Sequence, residues 1–178
     1  MIELPGERVT LRPLRTDELD ELYRQRVAST HMVSAPDKDV LRRRVEHSGE
    51  WHDGRLDLAI ESEGRLAGSI EARTSQNALP PGVCELGIEL DIRERGRGLG
   101  GEAIELLSDW LLANGFDRVQ ASTDVTNAPM RRVFEKLGWE HEGTLRAFMP
   151  AHGGRADYAM YATTLRASTR RSRPRRAR

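Results

Sequence analysis

Cysteine is nearly absent from this sequence, since Cys84 is the only one among 178 residues. A single cysteine excludes an internal disulfide framework and is typical of the reducing cytoplasm, where we expect this protein. No apolar run approaches the roughly 20 residues that span a bilayer, and the first residues lack the apolar core of a signal peptide. The sequence therefore predicts no membrane partner and one well-buried domain.

Net charge is also absent, because 28 basic residues balance 28 acidic ones. Six arginines and no acid lie in residues 170–178, which leaves residues 1–169 with a formal charge of −6. A basic tail can contact nucleic acid, but the acidic body offers no basic stripe to extend the contact. We therefore expect a single domain over residues 1–167, a solvated and disordered tail over residues 168–178, and no nucleic-acid partner.

Groups that would bind a metal are lacking too. His31 and His47 have no partners at metal-ligand spacing, so no metal is predicted. Cys84 lies on the apolar face of a predicted strand, and a buried thiol is inert, so we expect no covalent role for it. No internal repeat and no linker long enough for a second domain are visible.

Hydrophobic periodicity predicts a mixed α/β (α+β) sheet with helices packed on it. Alternating apolar residues predict strands over residues 7–12, 56–60, 65–72, 83–92, 118–123, 139–145 and 158–165. Apolar stripes predict a helix that Thr16 caps, a helix over residues 37–51 with Val40 facing inward, a helix that ends at Asn114, and one that Asn127 caps. The resulting order is β-α-α-β-β-β-α-β-α-β-β.

Between the predicted strand 83–92 and the next helix, the chain is rich in glycine and arginine. The residues are Arg95, Gly96, Arg97, Gly98, Leu99, Gly100 and Gly101. Glycine permits positive φ and lets a ligand approach the main chain, and the first N–H groups of a helix lack internal partners. Together with the helix dipole and the two arginines, these groups predict a site for a phosphate-bearing ligand.

Other interpretations of this segment are weaker. Gly96-x-Gly98-x-x-Gly101 also matches the dinucleotide fingerprint, which belongs to a parallel, doubly wound sheet. The preceding strands are predicted as a hairpin meander, which argues against that fold. A Walker phosphate loop is excluded because no Gly-Lys-Ser/Thr follows. A glycine turn without a ligand leaves the two arginines unexplained.

The spacing Arg95-x-x-Gly98-x-Gly100 resembles the coenzyme A pyrophosphate motif of the GCN5-related N-acetyltransferase (GNAT) superfamily. Five further segments resemble, in the right order, the ribosomal-protein-alanine N-acetyltransferase group. They are residues 8–14, 84–90, 127–139, 142–146 and 157–161. The resemblance covers nearly the whole body. It implies the GNAT fold and an acyl-CoA-dependent N-acyltransferase that uses acetyl-CoA, or another acyl-CoA, as cosubstrate.

The resemblance also implies how that cosubstrate is held. A mostly antiparallel sheet with helices on both faces would open as a V between strands 83–92 and 118–123, usually at a bulge in the first strand. Pantetheine would lie in the split and pair with main-chain groups near Leu90 and Ile92. Asn127 would hydrogen-bond the pantetheine arm, cap its helix, or do both. The residues that would hold the pyrophosphate are Arg95, Arg97, Gly98, Leu99, Gly100 and Gly101.

Glu85 and Glu89 are the candidate general bases. They lie four residues apart on one strand and so share a face with Gly87, which is expected to leave room for a substrate. Two neighbouring acids would raise one pKa toward neutrality and attract a cationic amine. Glu85 fits the family pattern better, whereas Glu89 stands where the group more often has an apolar residue and would tune substrate choice. The alternative is an acidic, solvated strand face.

The family's proton donor has no counterpart in this sequence. Phe134 and Met130 stand where family members often have tyrosine and serine, and neither can give a proton. The thiolate would take its proton from water or from the amine. Tyr158, Tyr161 and His152 are distant alternatives, with strand packing favoured for both tyrosines.

The sequence leaves the acceptor open. The region from Leu19 to Trp51 and a loop over residues 148–155 are expected to line the acceptor side, and the acidic body favours a cationic amine. A protein N-terminus and a small amine, such as an aminoglycoside-like antibiotic, both fit. A noncatalytic acyl-CoA-binding module is a third alternative because the proton donor is missing. Homodimers are common in the resembling group, which makes a homodimer a further hypothesis.

Overall fold

The computed structural model describes residues 1–28, 37–74 and 79–165. These residues form eight strands, four α-helices and two short 3-10 turns, Thr16–Glu18 and Ile92–Glu94. The strands are β1 Leu4–Pro5, β2 Thr10–Arg12, β3 Arg55–Ser62, β4 Arg65–Arg73, β5 Val83–Leu90, β6 Arg118–Asp124, β7 Glu140–Ala151 and β8 Gly154–Thr164. The helices are α1 Leu19–Val27, α2 Lys38–Glu46, α3 Leu99–Ala113 and α4 Ala128–Lys136.

All eight strands belong to one sheet with the order β1-β2-β3-β4-β5-β6-β8-β7. Every neighbouring pair is antiparallel except β5 and β6, which are parallel and connected by α3. A parallel pair needs a crossover connection, and α3 supplies it. The mixed, mostly antiparallel sheet is therefore confirmed, and the doubly wound parallel sheet of dinucleotide-binding proteins is excluded.

Helices cover both faces of the sheet, as predicted. Leu58 and Ile60 of β3 join a large core with α3 and α4, whereas Ala59 between them joins a smaller core. Leu22 of α1 and Leu41 of α2 complete that smaller core. Because successive strand residues point to opposite faces, one strand contributes to both cores.

The second helix is shorter than predicted, since it ends at Glu46 instead of residue 51. Just beyond it, the buried Ser48 hydroxyl accepts a hydrogen bond from the Leu14 N–H at 2.8 Å and donates one to the Asp57 carbonyl at 2.7 Å. These bonds hold the chain out of the helix. Val40, expected to face inward, is 41% exposed.

The first predicted strand, over residues 7–12, is also shorter, because only Thr10–Arg12 pairs with β3. The N–H groups of Arg8 and Val9 donate instead to the Glu102 carboxylate in α3, at 2.8 and 3.3 Å. A side chain more than 90 residues away thus replaces a strand partner.

The prediction of a loop over residues 148–155 is wrong, since this segment is part of a β-hairpin. β7 continues through irregularities between Leu145 and Met149 and pairs with β8 up to Ala151 and Gly154. The turn itself is confined to His152 and Gly153.

No helix in the described ranges is long and apolar enough to cross a membrane. The predicted tail over residues 168–178, and His31, lie outside the residues that the structure describes.

Candidate active site

The central feature of the site is a V-shaped opening between β5 and β6. The two strands pair only at Val83, Cys84 and Glu85, while β5 stays paired with β4 as far as Leu90. The predicted split is therefore confirmed. The expected bulge is not found, because the β4–β5 register runs without a shift from Glu85 to Leu90. The divergence of β6 opens the split.

Main-chain groups of β5 line this opening. The Asp91 N–H donates to the Ala67 carbonyl of β4 at 2.9 Å. Because hydrogen-bonding directions alternate along a strand, Ile88 and Leu90 direct their N–H and C=O groups toward β6. Leu90 thus lies where the sequence placed it, and its carbonyl accepts a hydrogen bond from the Arg95 guanidinium at 3.3 Å.

Ile92 does not belong to the strand, contrary to the prediction. It begins the 3-10 turn Ile92–Glu94 and is 63% exposed. Asp91 ends the strand by accepting hydrogen bonds from the main-chain N–H of Arg93 at 2.9 Å and from its guanidinium at 2.6 Å. The side-chain bond from Arg93 lowers the pKa of Asp91 to about 2.

The glycine-rich segment leads from this turn into α3. Gly98 is the N-cap residue with φ +82°, and as a glycine it has no side chain to cap the N-terminus of this helix. The first intrahelical bond runs from the Glu102 N–H to the Gly98 carbonyl at 3.3 Å. The N–H groups of Leu99, Gly100 and Gly101 therefore have no partner within the helix, and their binding of an anion stays a prediction.

At the start of α3, neighbouring side chains leave little room for a side chain at Gly98 or Gly100. A Cβ on Gly98 would lie 2.7 Å from a guanidinium nitrogen of Arg8, and a Cβ on Gly100 would lie 3.2 Å from Leu90 Cδ1. Larger side chains at these two positions would therefore collide with Arg8 or Leu90. We call residues Gly98 to Gly101 the cradle; its main-chain N–H groups, with the arginines beside them, fit a diphosphate.

Arg97 lies at the edge of the cradle, where it binds two carboxylates. Its guanidinium donates to Glu63 in the β3–β4 turn at 2.7 Å and also contacts Glu94. The side chain is 41% exposed, so these pairs are exchangeable with solvent or with another anion.

Arg8 is a candidate that the sequence reasoning missed. Its Nε contacts Glu102 at 3.0 Å, and its Nη1 donates to the Arg97 carbonyl at 3.4 Å. Glu102 thereby orients a second cation over Gly98. No local pattern links residues 8 and 98, and the acid in the first turn of α3 was the one available signal.

A cavity of about 730 Å³ adjoins the cradle. Gly98 and Gly101 form one wall, the segment Gly6 to Arg8 a second, and Val133 and Lys136 of α4 a third. Its volume lies in the range of small-molecule sites.

Glu85 and Glu89 share the sheet face that α1 and α2 cover. Glu85 accepts hydrogen bonds from Arg73 at 2.8 Å and from Gln120 of β6 at 3.4 Å. Glu89 lies further along, beside the open part of the split, with its Oε2 3.7 Å from Arg26 Nε. The face is therefore not a row of free acids, because each carboxylate has an arginine beside it.

The room expected over Gly87 is filled by Glu71. The β4–β5 register sets these residues opposite each other, and a Cβ on Gly87 would lie 2.9 Å from the Glu71 carboxylate. Burial alone would raise the pKa of Glu71, but the charges of Arg44, Arg55 and Arg73 outweigh it and hold that pKa below its usual value.

Asn127 caps α4 on the other side of the split. Its Oδ1 accepts a hydrogen bond from the Met130 N–H at 3.3 Å, and its Nδ2 donates to Thr123 Oγ1 at 3.1 Å. The capping role is thus observed, and a role toward pantetheine stays a prediction.

The other residues discussed as proton donors lie in packing contacts or in a turn. Phe134 is buried and stacks on Tyr161, which is 1% exposed and accepts a hydrogen bond from Arg131 at 3.3 Å. Tyr158 packs against Phe148, and burial with the nearby Asp124 charge raises its pKa. His152 lies in the hairpin turn.

The sequence predicted neither a covalent role for Cys84 nor a bound metal. Burial raises the pKa of the Cys84 thiol to about 12, which agrees with an inert side chain. The described residues contain no group of three or more histidines, cysteines or acids arranged to hold a metal ion.

Comparison with known proteins identifies the class. The model of the acetyltransferase (GNAT) domain matches residues 8–140. Together with a split strand pair that leads to an uncapped, glycine-rich helix start, this match defines an acyl-CoA-dependent N-acyltransferase. The chain belongs to the acetyltransferase (GNAT) domain family.

Relatives and solved structures agree with this assignment. Over 99 residues the chain is 30% identical to the L-amino acid N-acetyltransferase AaaT of Escherichia coli K12, an alignment that spans 53% of this chain and 59% of that protein. It is 24% identical to the uncharacterized N-acetyltransferase p20 of Bacillus licheniformis over 90% of this chain and 95% of that one. The fold matches RimL, a ribosomal L7/L12 alpha-N-protein acetyltransferase solved with coenzyme A, with a TM-score of 0.77 and 17% identity over 93% of this chain and 99% of that chain.

The low pKa of Asp91 predicts an acid-dependent contribution to stability. Because its folded pKa lies below the unfolded value, the stabilisation is complete above about pH 4 and is lost as the pH falls toward 2. We expect Asp91→Asn to lower the free energy of unfolding by about 1 kcal/mol at pH 7 and to flatten its decline between pH 4 and 2. Urea unfolding across this range measures both effects. Asp53→Asn, at an exposed position, is the control. An unchanged pH dependence in Asp91→Asn would contradict the assignment.

Proposed function

We propose that the protein transfers an acetyl group from acetyl-CoA to a primary amine by direct attack of the amine on the thioester. The observation that carries this proposal is the end of β5–β6 pairing at Glu85, which leaves the main chain of Ile88 and Leu90 open and leads to the free N–H groups of α3.

The residues that would hold the cosubstrate follow from this geometry. The N–H groups of Leu99, Gly100 and Gly101 would bind the pyrophosphate, with Arg97 and Arg8 as neighbouring cations. Leu90 would offer its main chain to the pantetheine arm, and Arg95 would leave the Leu90 carbonyl free when that arm enters. Bound acetyl-CoA supplies an activated thioester, and Asn127 lies at the opposite wall.

The chain's own groups would then serve the transfer. The N–H of Leu90 faces the split and would stabilise negative charge on the thioester oxygen, a contribution of about 3 kcal/mol for one aimed donor. Glu85, five residues from Leu90 along β5, would accept the amine proton through a chain of water molecules in the split. Glu89 would hold the amine. The leaving sulfur would be protonated by water or by the amine's own proton, because Phe134 and Met130 have none to give.

The acceptor is an amine whose class the family leaves open. The Escherichia coli relative is named for L-amino acids and RimL for a protein N-terminus, so small amines, aminoglycoside-like antibiotics among them, and protein N-termini all remain within the proposal. The cytoplasmic location, the homodimer and the absence of a metal stay predictions.

The cradle predicts that larger side chains at its glycines prevent cosubstrate binding. Gly98→Val strains a residue with φ +82° and displaces Arg8, and Gly100→Val presses on Leu90, so we expect coenzyme A affinity to fall at least a hundredfold in a folded domain. Gly115→Val is the matched control, because it introduces similar strain at the other end of α3, at φ +99° with no atom within 4 Å of the added Cβ. Calorimetry measures affinity, and a folded Gly98→Val with unchanged affinity would refute the location.

Arg8 predicts an additional contribution to affinity from outside the glycine segment. We expect Arg8→Gln to weaken coenzyme A binding about tenfold, since a charge-assisted hydrogen bond contributes on the order of 1.5 kcal/mol. Arg15→Gln removes an arginine of nearly equal exposure, 58% against 57%, away from the cradle, and should leave affinity unchanged. An equal loss of coenzyme A affinity in Arg8→Gln and Arg15→Gln would show that affinity depends on net charge and not on the position of Arg8.

Different roles for the two acids predict different kinetic effects. We expect Glu85→Gln to lower kcat about a hundredfold with little change in coenzyme A affinity, and Glu89→Gln mainly to raise the KM for the amine. Steady-state thiol release over a range of pH separates the two. A pH profile of Glu85→Gln identical to that of the wild type would remove Glu85 from the mechanism. Tight acetyl-CoA binding without turnover of any amine would instead favour a noncatalytic binding module.

A further inference from the structure

Arg26 and Glu89 form an incomplete ion pair on the sheet face beneath α1. Arg26 Nε lies 3.7 Å from Glu89 Oε2, which is too long for a hydrogen bond. Arg26 Nε and Glu89 Oε1 are both buried and, in the part of the chain that the structure describes, both lack a hydrogen-bond partner. The two side chains keep only 14% and 20% exposure. Buried charged groups without partners are rare and call for an explanation.

Neighbouring charges on the same face are fully paired, in contrast. Arg44 contacts both Asp57 and Glu71, and Arg73 donates to Glu85 at 2.8 Å. Among the residues that the structure describes, these neighbours of Arg26 and Glu89 thus each have a close partner of opposite charge. Burial, with repulsion from Arg44, also lowers the pKa of Arg26 by more than the charges of Glu89, Glu71 and Asp57 raise it.

The pair is located where the acceptor has to arrive. Glu89 directly precedes Leu90, whose main chain faces the split, and Arg26 reaches Glu89 from the last turn of α1. An amine held by Glu89 is therefore close to the open main chain of β5, and Arg26 lies next to that amine.

We propose that this pair recognises a free α-amino acid in its zwitterionic form. This inference rests on the proposed function and names its acceptor class. The α-ammonium group would bind the Glu89 carboxylate, whose buried Oε1 would turn toward the split, and the α-carboxylate would bind the guanidinium of Arg26, which suits a planar carboxylate. A protein N-terminus has the amine but a neutral amide beside it, and an aminoglycoside has amines without a carboxylate. Each of these would leave Arg26 unpartnered.

The transfer balances without any further reactant. The α-ammonium nitrogen loses two protons in all. The first passes through a chain of water molecules along β5 to Glu85 and on to solvent, which leaves a neutral amine. The amine nitrogen then forms a bond to the acetyl carbon as the carbon–sulfur bond breaks, and the second proton passes through solvent to the leaving thiolate. The product, an N-acetyl amino acid, has no ammonium group. It therefore loses its contact with Glu89 and is held by Arg26 alone, which favours release.

The first test compares acceptors on the wild-type protein. Thiol release is measured with acetyl-CoA and each standard L-amino acid, and with the carboxamide of each. We expect kcat/KM for the best amino acid to exceed that of its amide at least tenfold. The lower amine pKa of the amide would favour the opposite order on chemical grounds alone. Amides or short peptides that react as well as amino acids would overturn the proposal and favour a protein N-terminus.

A binding measurement separates failure of this inference from failure of the proposed function. The same amino acids are titrated by calorimetry into the protein saturated with coenzyme A, which needs no turnover. Binding of amino acids but not of their amides supports the acceptor class even if no amine is acetylated. Lack of binding by every amino acid overturns it, even if other amines are acetylated.

The second test changes Arg26. We expect Arg26→Gln to raise the KM for the amino acid at least tenfold and to leave the KM for its amide unchanged, with unchanged coenzyme A affinity. Arg24→Gln is the matched control, because Arg24 lies in the same helix but is 68% exposed and paired with Glu21. Should Arg26→Gln not fold, Arg26→Lys keeps the charge and loses the planar fork, and the same selective rise in KM is expected. An equal loss for amino acid and amide would show a structural role and overturn the proposal.

Discussion

The early end of hydrogen bonding between β5 and β6 is the constraint on which the rest of the site depends. β5 remains bonded to β4 as far as Leu90, so one wall of the split is held firmly while the other diverges. Main-chain groups inside a protein need partners, and an extended ligand arm can supply them. The helix that connects the two strands, α3, presents its free N–H groups at the open end. The open strand edge and the candidate anion site are thus joined by the short segment between Leu90 and Leu99.

The sheet face beneath α1 and α2, where we propose that the acceptor binds, differs from the split because its character comes from paired charges. Arginines from α2, β3 and β4 pair closely with acids of β3, β4 and β5, and Arg26 of α1 lies near Glu89, so the face is polar without being strongly negative. The acidic charge of residues 1–169 had suggested that any cation would be attracted. The pairing of arginines with carboxylates suggests instead that a ligand is recognised by its shape and by the placement of its opposite charges.

Local patterns predicted much of this molecule. The alternation of β5, the apolar stripe of α3 and the glycine-rich start of that helix each depend on neighbours in sequence, and they lie where expected. Features that depend on distant contacts could not be read in this way. Arg8 reaches Gly98 only because Glu102 holds it, and Glu71 fills the space over Gly87 only through the register of two strands. The split itself was inferred from family resemblance, since no single strand encodes where its neighbour diverges.

The position of Glu71 has a consequence for how this enzyme's scope can change. Because Glu71 occupies the space above Gly87, enlarging the acceptor pocket that we propose on this face would require a smaller residue on β4, not on β5. Such a change would leave Arg44, Arg55 and Arg73 competing for fewer anions in a buried layer. Replacing Glu71 to admit a bulkier amine would therefore lower stability. Such variants should also need the loss of one of these arginines, so that no buried positive charge is left without a partner.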